Sequence, residues 1–452
     1  MTNLNYISIR YYQVFILACC LLVLGQAQAI PSFARQTGQP CSSCHVQSFG
    51  QTLTPYGRAF KLGGYTDGDA SSLIPISIMA IGSFTHTDKR QPGGAAPDAA
   101  PDFDANDNFS FDEGSVFYGG RIWSKLGTFT QITYSGIEDA VAWDNVDIRL
   151  ANQFDIMNQD IVAGVSFNNS PTVQDVWNTT PVWGFPYTSS ELAPSPSAST
   201  LIEDGLAQQV GGATAYAMIN DHLYLEAGAY ATLSADLQRA FGVDPSENNQ
   251  IDGGAPYWRV VLQNDFDGHY FALGTFGLRA NVFPGRERSA GTDHYTDLGA
   301  DFTYQYLADD RNIFELKTAY IRENKRLSAT QALGDADNAD NHLYTFRTTA
   351  TYTYARTYAF NFGYFNSSGS RDYTLYGEDS INGKPDSEGF ISEIDFTPFG
   401  KQDSTLFPWL NLRFAVQYVA YTKFNGAKRN YDEDGRDASD NNTLFLNGWL
   451  IF

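Results

Sequence analysis

The sequence predicts an all-β fold, a transmembrane barrel of about sixteen antiparallel strands in a bacterial outer membrane. Apolar and polar residues alternate over many segments between residues 73 and 452, for example in 223–233, 344–352 and 410–420. This period of two is typical of strands that present one face to an apolar environment. The segments reach roughly ten residues or more, which suits a tilted membrane-spanning strand better than the shorter strands of soluble sheets.

The polar face of these segments carries charge, which favours a membrane barrel with a polar lumen over a soluble β-sandwich. The charged residues predicted to lie on this face are Arg121, Asp147, Arg149, Glu226, Glu315, Lys317, Arg347 and Arg413. The chain ends on an alternating apolar series that closes with Phe452, an ending similar to the assembly signal of bacterial outer-membrane barrels. Because the predicted number of strands is even, we expect the first strand to begin and the last strand to finish on the periplasmic side.

Residues 1–29 have the pattern of a secretory signal peptide. Arg10 supplies the positive end, the apolar stretch 14–24 is too short to span a bilayer, and residues 27–29 (Ala-Gln-Ala) form a cleavage site. A second interpretation, lipoprotein processing at Cys19, would change only the membrane anchor. The predicted domains are the signal peptide (1–29), an N-terminal segment (30–72) and the barrel (73–452).

The N-terminal segment contains the motif that carries chemistry. Cys41, Cys44 and His45 form a C-x-x-C-H run, the pattern of covalent c-type haem attachment. In such a motif the two thiols bond to the two vinyl groups of one porphyrin, and the adjacent histidine is the proximal iron ligand. The alternatives are a redox dithiol, half of a zinc site, or chance, and a zinc ribbon would need a second C-x-x-C pair. We predict one covalently bound haem c.

The segment 30–72 is too short to build a core around a porphyrin, so the barrel must supply walls. We expect it to lie as a plug inside the barrel or at its periplasmic side. Met79, predicted to face the lumen from the first strand, is the nearest candidate for the distal iron ligand, and an open sixth position is the alternative. Arg35, Arg58 and Lys61 are candidates to bind the haem propionates, or else to pair with lumen carboxylates. Weaker candidates for the distal position are Met157, Met218, His86, His222, His269, His294 and His342.

Negative charge dominates the chain, which has 51 Asp and Glu against 29 Lys and Arg and a net charge of −22. Nucleic acid is therefore excluded as a partner. Acidic loops at 88–113 and 431–442 are either solvated surface loops or a funnel that concentrates a cationic substrate. The long stretch 169–204 either folds inward as a constriction or covers the mouth of the barrel.

Four short stretches resemble the fused cytochrome-porin family of iron-oxidising bacteria. They are 31–38 (PSFARQTG), 41–45 (CSSCH), 56–61 (YGRAFK) and 64–65 (GY). The resemblance covers about residues 31–66, and the remainder agrees in architecture only. It implies an outer-membrane oxidoreductase with one c-type haem in its pore, which takes electrons from extracellular Fe(II) and passes them to a periplasmic cytochrome or other carrier.

Two other functions fit the same sequence. The chain is either a porin for solute transport in which the haem segment is a plug or a sensor, or a haem conduit with a different electron donor or direction. Outer-membrane lipid is an expected partner in every case.

Overall fold

The computed structural model describes residues 30–69, 75–91, 102–203, 205–246, 248–377 and 379–452. The predicted signal peptide, and the predicted boundary between residues 72 and 73, lie outside the described residues. Among the described residues, no helix is both long and apolar enough to cross a bilayer.

Long β-strands make up most of the described chain. Their bounds are β1 (Ile76–Thr87), β2 (Asn108–Trp123), β3 (Leu126–Ser135), β4 (Ala140–Ile156), β5 (Gln159–Asn168), β6 (Val210–Ile219), β7 (Leu223–Thr232), β8 (Gln250–Ile251), β9 (Ala255–Phe266), β10 (His269–Phe283), β11 (Asp293–Tyr306), β12 (Asn312–Arg326), β13 (Asp340–Tyr354), β14 (Tyr358–Gly369), β15 (Ser387–Phe396), β16 (Asn411–Lys423) and β17 (Thr443–Ile451).

Sixteen of these strands close into one antiparallel ring. Each strand pairs with the next in the chain, β7 pairs directly with β9, and β17 returns to pair with β1. The two-residue β8 pairs with the end of β10, in line with β9, and is not counted as a separate strand of the ring. The prediction of a barrel of about sixteen antiparallel strands is confirmed. Closure leaves no unpaired sheet edge, as a strand structure in lipid requires.

The two ends of the barrel differ in the length of their connections. At one end, which we call the short-turn end, β4–β5, β9–β10 and β13–β14 are joined by tight turns. The turn residues Met157 and Asn158, and likewise Asp267 and Gly268, have positive φ, as type I′ hairpin turns require. The first residue of β1 and the last of β17 lie at this end. The opposite end, the long-loop end, carries the extended connections 88–107, 169–209 and 424–442.

The two faces of the wall have opposite character. On β1, Ile76 and Ile78 are exposed whereas Ser77 and Met79 are buried, so the predicted alternation on this strand is confirmed. Outward-facing apolar side chains around the wall include Leu150, Phe167, Leu273, Leu298, Phe362 and Val416. Charged side chains buried in the lumen include Asp147, Arg149, Glu226, Glu315 and Arg413. The chain is therefore an outer-membrane β-barrel whose outer face contacts lipid.

Short helices occupy the N-terminal segment and the long loops. Three lie in residues 30–69, which we call the plug, and three lie in loops at the long-loop end. Their bounds are α1 (Pro31–Thr37), α2 (Cys41–Cys44), α3 (Pro55–Leu62), α4 (Ala235–Ala240), α5 (Ser328–Leu333) and α6 (Tyr373–Tyr376). Proline is the first residue of α1 and of α3, where its missing N–H leaves no hydrogen bond unmade. The Thr54 side chain caps α3 by accepting a hydrogen bond from the Gly57 N–H.

The plug lies against the inner wall of the barrel near the short-turn end. The Ser32 N–H donates to Ser77 Oγ on β1, at 3.0 Å. The Tyr65 hydroxyl donates to the buried Asp147 carboxylate on β4, at 2.6 Å. At the short-turn end, the Arg356 guanidinium donates to carbonyls of the plug. The plug therefore uses the wall as its core, as its length predicts.

The connection between β5 and β6 also folds into the lumen. Its residues 169–203, which we call the inward loop, contact walls on several sides. The Trp177 indole donates to the Tyr270 hydroxyl at 2.7 Å, and the Leu201 N–H donates to Glu323 at 2.6 Å. Gln417 on β16 donates to the carbonyl of Thr188 in the loop. Of the two arrangements that the sequence leaves open, the inward one is observed.

Candidate functional site

The C-x-x-C-H motif forms one helical turn and its exit. Helix α2 begins after Pro40, and His45 leaves it in an extended conformation while its N–H still donates to the Cys41 carbonyl at 2.7 Å. Cys41 is only 1% exposed, and Cys44 and His45 are partly buried. Because the turn is helical, the two thiols and the imidazole are brought to the same cavity.

That cavity, which we call the haem-motif cavity, lies between the plug, β1–β4, β17 and the inward loop. Its volume is about 270 Å³, and with its open mouth included the empty space is about 1390 Å³. Sites for small organic ligands typically measure roughly 300–1,000 Å³. Nine of its lining residues are aromatic: Phe33, Phe49, Phe60, Tyr65, Phe117, Phe129, Trp183, Tyr187 and Trp449. Flat side chains on several sides of the cavity suit a flat, mainly apolar ligand.

Burial sets the ionisation of the motif. It lowers the pKa of His45 to about 4, so the imidazole is neutral at pH 7, the form in which histidine binds metals. Burial, reinforced by Asp67, raises the pKa of Cys44 to about 12, so this thiol stays protonated. His45 Nδ1 has no conventional hydrogen-bond partner, although the nearby Gly50 backbone favours its protonated form.

The residues around this cavity fit a covalently attached haem. Besides His45 Nδ1, three buried polar atoms of its lining residues have no hydrogen-bond partner: Gln51 Oε1, Asn178 Oδ1 and Trp449 Nε1. Unsatisfied buried polar atoms are uncommon and indicate that a group is missing from their surroundings. Two thiols, an adjacent neutral imidazole and an aromatic wall form the donor set that a c-type haem requires.

Met79 lies on the wall of the same cavity. Its side chain is 3% exposed and packs in an apolar cluster with Phe49, Phe117 and Trp449. The other predicted candidates for the distal position lie elsewhere. Met157 is exposed in a turn, Met218 belongs to a different cluster, and none of the five other histidines, all in the described part of the chain, lines this cavity. Met79 is thus brought together with the motif, and its ligation of iron stays a prediction.

The basic residues of the plug are held away from the motif. Arg35 donates to the Ile76 carbonyl and stacks on Trp409, and Arg58 stacks on Tyr270. Neither arginine lines the cavity, so their positions give no support to the prediction that they bind propionates.

Lys61 does line the cavity, but its ammonium group points to the inward loop. It donates at 2.8 Å to each of the carbonyls of Val173 and Asp175. Burial lowers its pKa to about 7. The lysine therefore ties the plug to the inward loop.

A second, acidic cavity adjoins the first. Its carboxylates are those of Asp112, Glu113, Glu138, Asp144, Glu191 and Asp244, and its volume is about 440 Å³. Glu113 and Asp144 line both cavities. Within the described ranges, none of the six carboxylates forms a salt bridge. In those same ranges, no three His, Cys, Asp or Glu side chains are grouped closely enough to hold a metal ion.

Several residues of the site were not predicted from the sequence. Trp449 faces inward by the same alternation that predicts Leu450 and Phe452 to face outward, so the pattern could have identified it. Trp183 and Asn178 come from the inward loop, which has no periodicity that would indicate its path. The sequence predicted an acidic loop over 88–113, which is wrong for its last residues, because β2 begins at Asn108 and carries Glu113. Asp144 lies on β4, and the position that these two carboxylates share between two cavities depends on how β2 and β4 meet the plug.

No protein-family model matches this sequence, and no curated protein matches it significantly. Among solved structures, the outer-membrane channel DcaP of Acinetobacter baumannii aligns with a TM-score of 0.45 and 10% identity, over 83% of this chain and 96% of that chain. A loop L8 deletion mutant of the outer-membrane protein OmpT of Vibrio cholerae gives 0.43 and 9%, over 83% and 98%. OccK2 (OpdF) of Pseudomonas aeruginosa, in complex with glucuronate, gives 0.39 and 11%, over 84% and 97%. TM-scores below 0.5 support no inference about function, so the barrel assignment depends on the strand pairing described above.

Proposed function

We propose that this outer-membrane barrel is an electron conduit. In this function Cys41, Cys44 and His45 would hold a haem c, through which the chain would pass electrons from extracellular Fe(II) to a periplasmic carrier, such as a cytochrome. One observation carries the proposal: a C-x-x-C-H helix lines an aromatic cavity enclosed by the barrel wall. The stretches of the plug that resemble the fused cytochrome-porin family support the same function.

The chain's own residues provide what such a haem needs. Cys41 and Cys44 would hold the haem covalently, and the neutral His45 and Met79 are the residues that would bind its iron. A haem held by these residues would supply a one-electron Fe(III)/Fe(II) couple, whose potential a methionine ligand would raise.

The filled lumen supports transfer of electrons rather than of iron. The plug occupies the short-turn end, and the inward loop crosses the lumen to opposite walls. Outer-membrane barrels have short periplasmic turns and longer extracellular loops, so the short-turn end is periplasmic. The cavity lining at this end includes the exposed Gln39, which leaves the haem edge within reach of a periplasmic carrier.

The acidic cavity supports a cationic donor on the other side. Asp112, Glu138 and Asp244 are close to connections of the long-loop end, whereas Glu113 and Asp144 reach the haem-motif cavity. Carboxylates without a cationic partner attract divalent cations over a distance. Fe(II) approaching from outside would therefore pass this group of acidic side chains on its way to the haem-motif cavity.

The test is reduction of the protein by Fe(II) in detergent. The natural protein should show a c-type spectrum, and its oxidised haem should be reduced by Fe(II) at neutral pH. His45→Ala should change the absorption spectrum of the haem, whereas His86→Ala, on a partly exposed histidine that does not line the haem-motif cavity, should leave it unchanged. Glu113→Gln combined with Asp144→Asn should slow reduction by Fe(II) more than reduction by a neutral donor. A natural haem that Fe(II) leaves oxidised would refute the proposed donor.

A solute porin is the second candidate. The observation that favours it is the charged lumen of a wide barrel, where Arg149, Arg259 and Arg413 are each paired with wall carboxylates. In this case the N-terminal segment is a structural plug or a sensor. Liposome swelling separates the two functions, because a porin admits sugars or amino acids whereas the conduit admits none. A conduit with another electron donor or direction is a further alternative. Redox titration against several donors separates it from the Fe(II) conduit, because a donor other than Fe(II) should then reduce the protein fastest.

A further inference from the structure

Three arginines face outward from neighbouring strands near the long-loop end. Arg279 lies on β10, and Arg322 and Arg326 lie on β12, with β11 between these strands. All three side chains are exposed. Arg279 shares its face of the wall with the exposed Leu273, and the other two share theirs with the exposed Tyr320. The remaining Arg and Lys residues of the described strands turn toward the lumen or the plug, so outward-facing positive charge on these strands is confined to one sector.

The strand register brings the three arginines into one patch, which we call the arginine patch. Thr296 on β11 lies opposite Arg279 on one side and opposite Asn324 on the other. Arg322 and Arg326 are the outward neighbours of Asn324 along β12, two residues before it and two residues after it. Four residues along a strand span about 14 Å, and two strand spacings span about 10 Å. Side chains as long as arginine can therefore converge on one bulky headgroup.

The arginine patch has no anionic partner within the described parts of the chain, where none of its three guanidinium groups forms a salt bridge. Arg322 donates from Nε to Asn324 Oδ1 at 3.2 Å and stacks on Tyr344 at 5.7 Å, and these contacts hold its guanidinium on the outer face. Asp340 on β13 lies opposite Arg326 but forms no salt bridge with it. An arginine that faces lipid without a counter-ion is destabilising unless it reaches the membrane interface. Three of them in one sector indicate an anion supplied from outside the protein.

The arginine patch lies where the apolar band of the wall ends. From the level of Arg322 toward the short-turn end, the outer face carries the exposed side chains of Leu298, Tyr320 and Leu273. Tyr320 stacks on Tyr344 of β13, with 6.3 Å between the ring centroids. Aromatic residues of this kind mark the boundary between hydrocarbon and headgroups. Because the long-loop end is extracellular, the arginines lie at the level of the headgroups of the outer leaflet.

We propose that Arg279, Arg322 and Arg326 form a binding site for a phosphorylated lipid headgroup of the outer leaflet, the lipid A part of lipopolysaccharide. Guanidinium groups bind phosphate through two parallel hydrogen bonds, which lysine cannot reproduce. Thr296 and Asn324 offer hydrogen bonds to sugar hydroxyls, and the apolar side chains below them accept the acyl chains. The site lies outside the lumen, so it depends neither on haem nor on the electron donor.

Titration with purified lipid A tests the site directly. The natural protein in a zwitterionic detergent receives diphosphorylated lipid A, and native mass spectrometry measures the bound lipid. Combined substitution Arg279→Gln, Arg322→Gln and Arg326→Gln should weaken binding by at least about tenfold, because one hydrogen bond to a charged group already contributes that much. Equal affinities of the natural and the substituted protein, or no binding to the natural protein, would overturn the proposal.

A matched control removes the same charge elsewhere at the long-loop end. Arg239→Gln, Arg371→Gln and Arg429→Gln replace three exposed arginines that lie in loops outside the arginine patch. This variant should bind lipid A like the natural protein. A loss as large as that of the patch variant would show that net charge alone attracts the lipid, and would overturn a defined site.

Two further ligands separate the possible sources of phosphate. Dephosphorylated lipid A should bind poorly, and inorganic phosphate at the same concentration should not displace the phosphorylated lipid. Equal binding of both forms of lipid A would overturn recognition of phosphate, whereas displacement by inorganic phosphate would overturn recognition of a lipid.

Single substitutions keep the test decisive if the triple variant does not fold, which the heat-dependent gel mobility of barrels shows. Arg322→Gln should weaken binding of lipid A, and Arg322→Lys should give an intermediate affinity, because lysine keeps the charge but not the two parallel hydrogen bonds. A folded Arg322→Gln barrel with the affinity of the natural protein would contradict the role given to the best-held arginine of the patch.

Discussion

Arg259 is the residue whose removal should open the lumen. Its guanidinium lies 2.6 Å from the Asp301 carboxylate on β11 and 3.3 Å from the Asp175 carboxylate in the inward loop, and all three side chains are fully or almost fully buried. It also stacks on Trp177 of the same loop at 5.1 Å. One cation therefore joins the inward loop to the wall.

The size of the effect follows from the burial of this group. Arg259→Met leaves two buried carboxylates without a cation, and breaking a buried ion pair in this way typically costs about 3–5 kcal/mol. Because about 1.4 kcal/mol changes an equilibrium tenfold, the ratio of loop-out to loop-in states should rise by roughly two to three and a half orders of magnitude. A lumen that is closed in the natural protein should then conduct ions for a measurable fraction of the time.

Planar-bilayer recording measures this fraction directly. Arg259→Met should show frequent openings, whereas Arg239→Met, which removes an exposed pair with Asp236, should resemble the natural protein. Exposed pairs contribute about 0–1 kcal/mol, so the control barrel should be unaffected. A folded Arg259→Met barrel that conducts no more than the control would refute the assignment of Arg259 as the anchor of the loop.

Three further predictions concern the plug and the wall beside it. Gly57→Ala would place a Cβ against the Cys44 carbonyl, so α3 should separate from α2 and the free energy of unfolding should fall by about 1–3 kcal/mol. The plug should then detach at a lower temperature in thermal melts, whereas the control Gly82→Ala, where a Cβ has room, should melt like the natural protein. The pKa of Lys61 is about 7 in the folded protein, against an ordinary value of 10.5, so the unfolded chain binds more protons between these two pH values. The free energy of unfolding should therefore rise with pH across that window. If it rises no more in the natural protein than in Lys61→Met, the prediction is wrong. Met79→Leu should lower the haem potential in a redox titration, and an unchanged potential would exclude methionine ligation.

The wall of the barrel could be predicted from the sequence because its pattern is local. Alternation with a period of two depends only on which face each residue presents, so the lipid side of Ile76 and Ile78 and the lumen side of Met79 could be inferred without knowing their neighbours. The count of sixteen ring strands follows from the same pattern, since turn-rich segments separate the strands. The C-x-x-C-H motif is local in the same sense.

The interior could not be predicted because its contacts join distant parts of the chain. Arg58 is close in sequence to the haem motif, yet its guanidinium is held by Tyr270 and Gln305 on the far wall. The inward loop has no periodic pattern, and its path is fixed by pairs such as Leu201 with Glu323. Each of these pairs depends on the register of the whole ring, which no single segment determines.

The aromatic lining of the haem-motif cavity has a consequence for the speed of electron transfer. Phe33, Phe117 and Phe129 carry no dipoles that must turn when a neighbouring metal changes its charge. On their part of the lining, these rings take the place of water, which would have to reorient. A redox group held against them would change oxidation state with a smaller reorganisation energy than one in water, so transfer would need less driving force in either direction. The same rings that shape the cavity would thus also allow a single haem to serve donors and acceptors of similar potential.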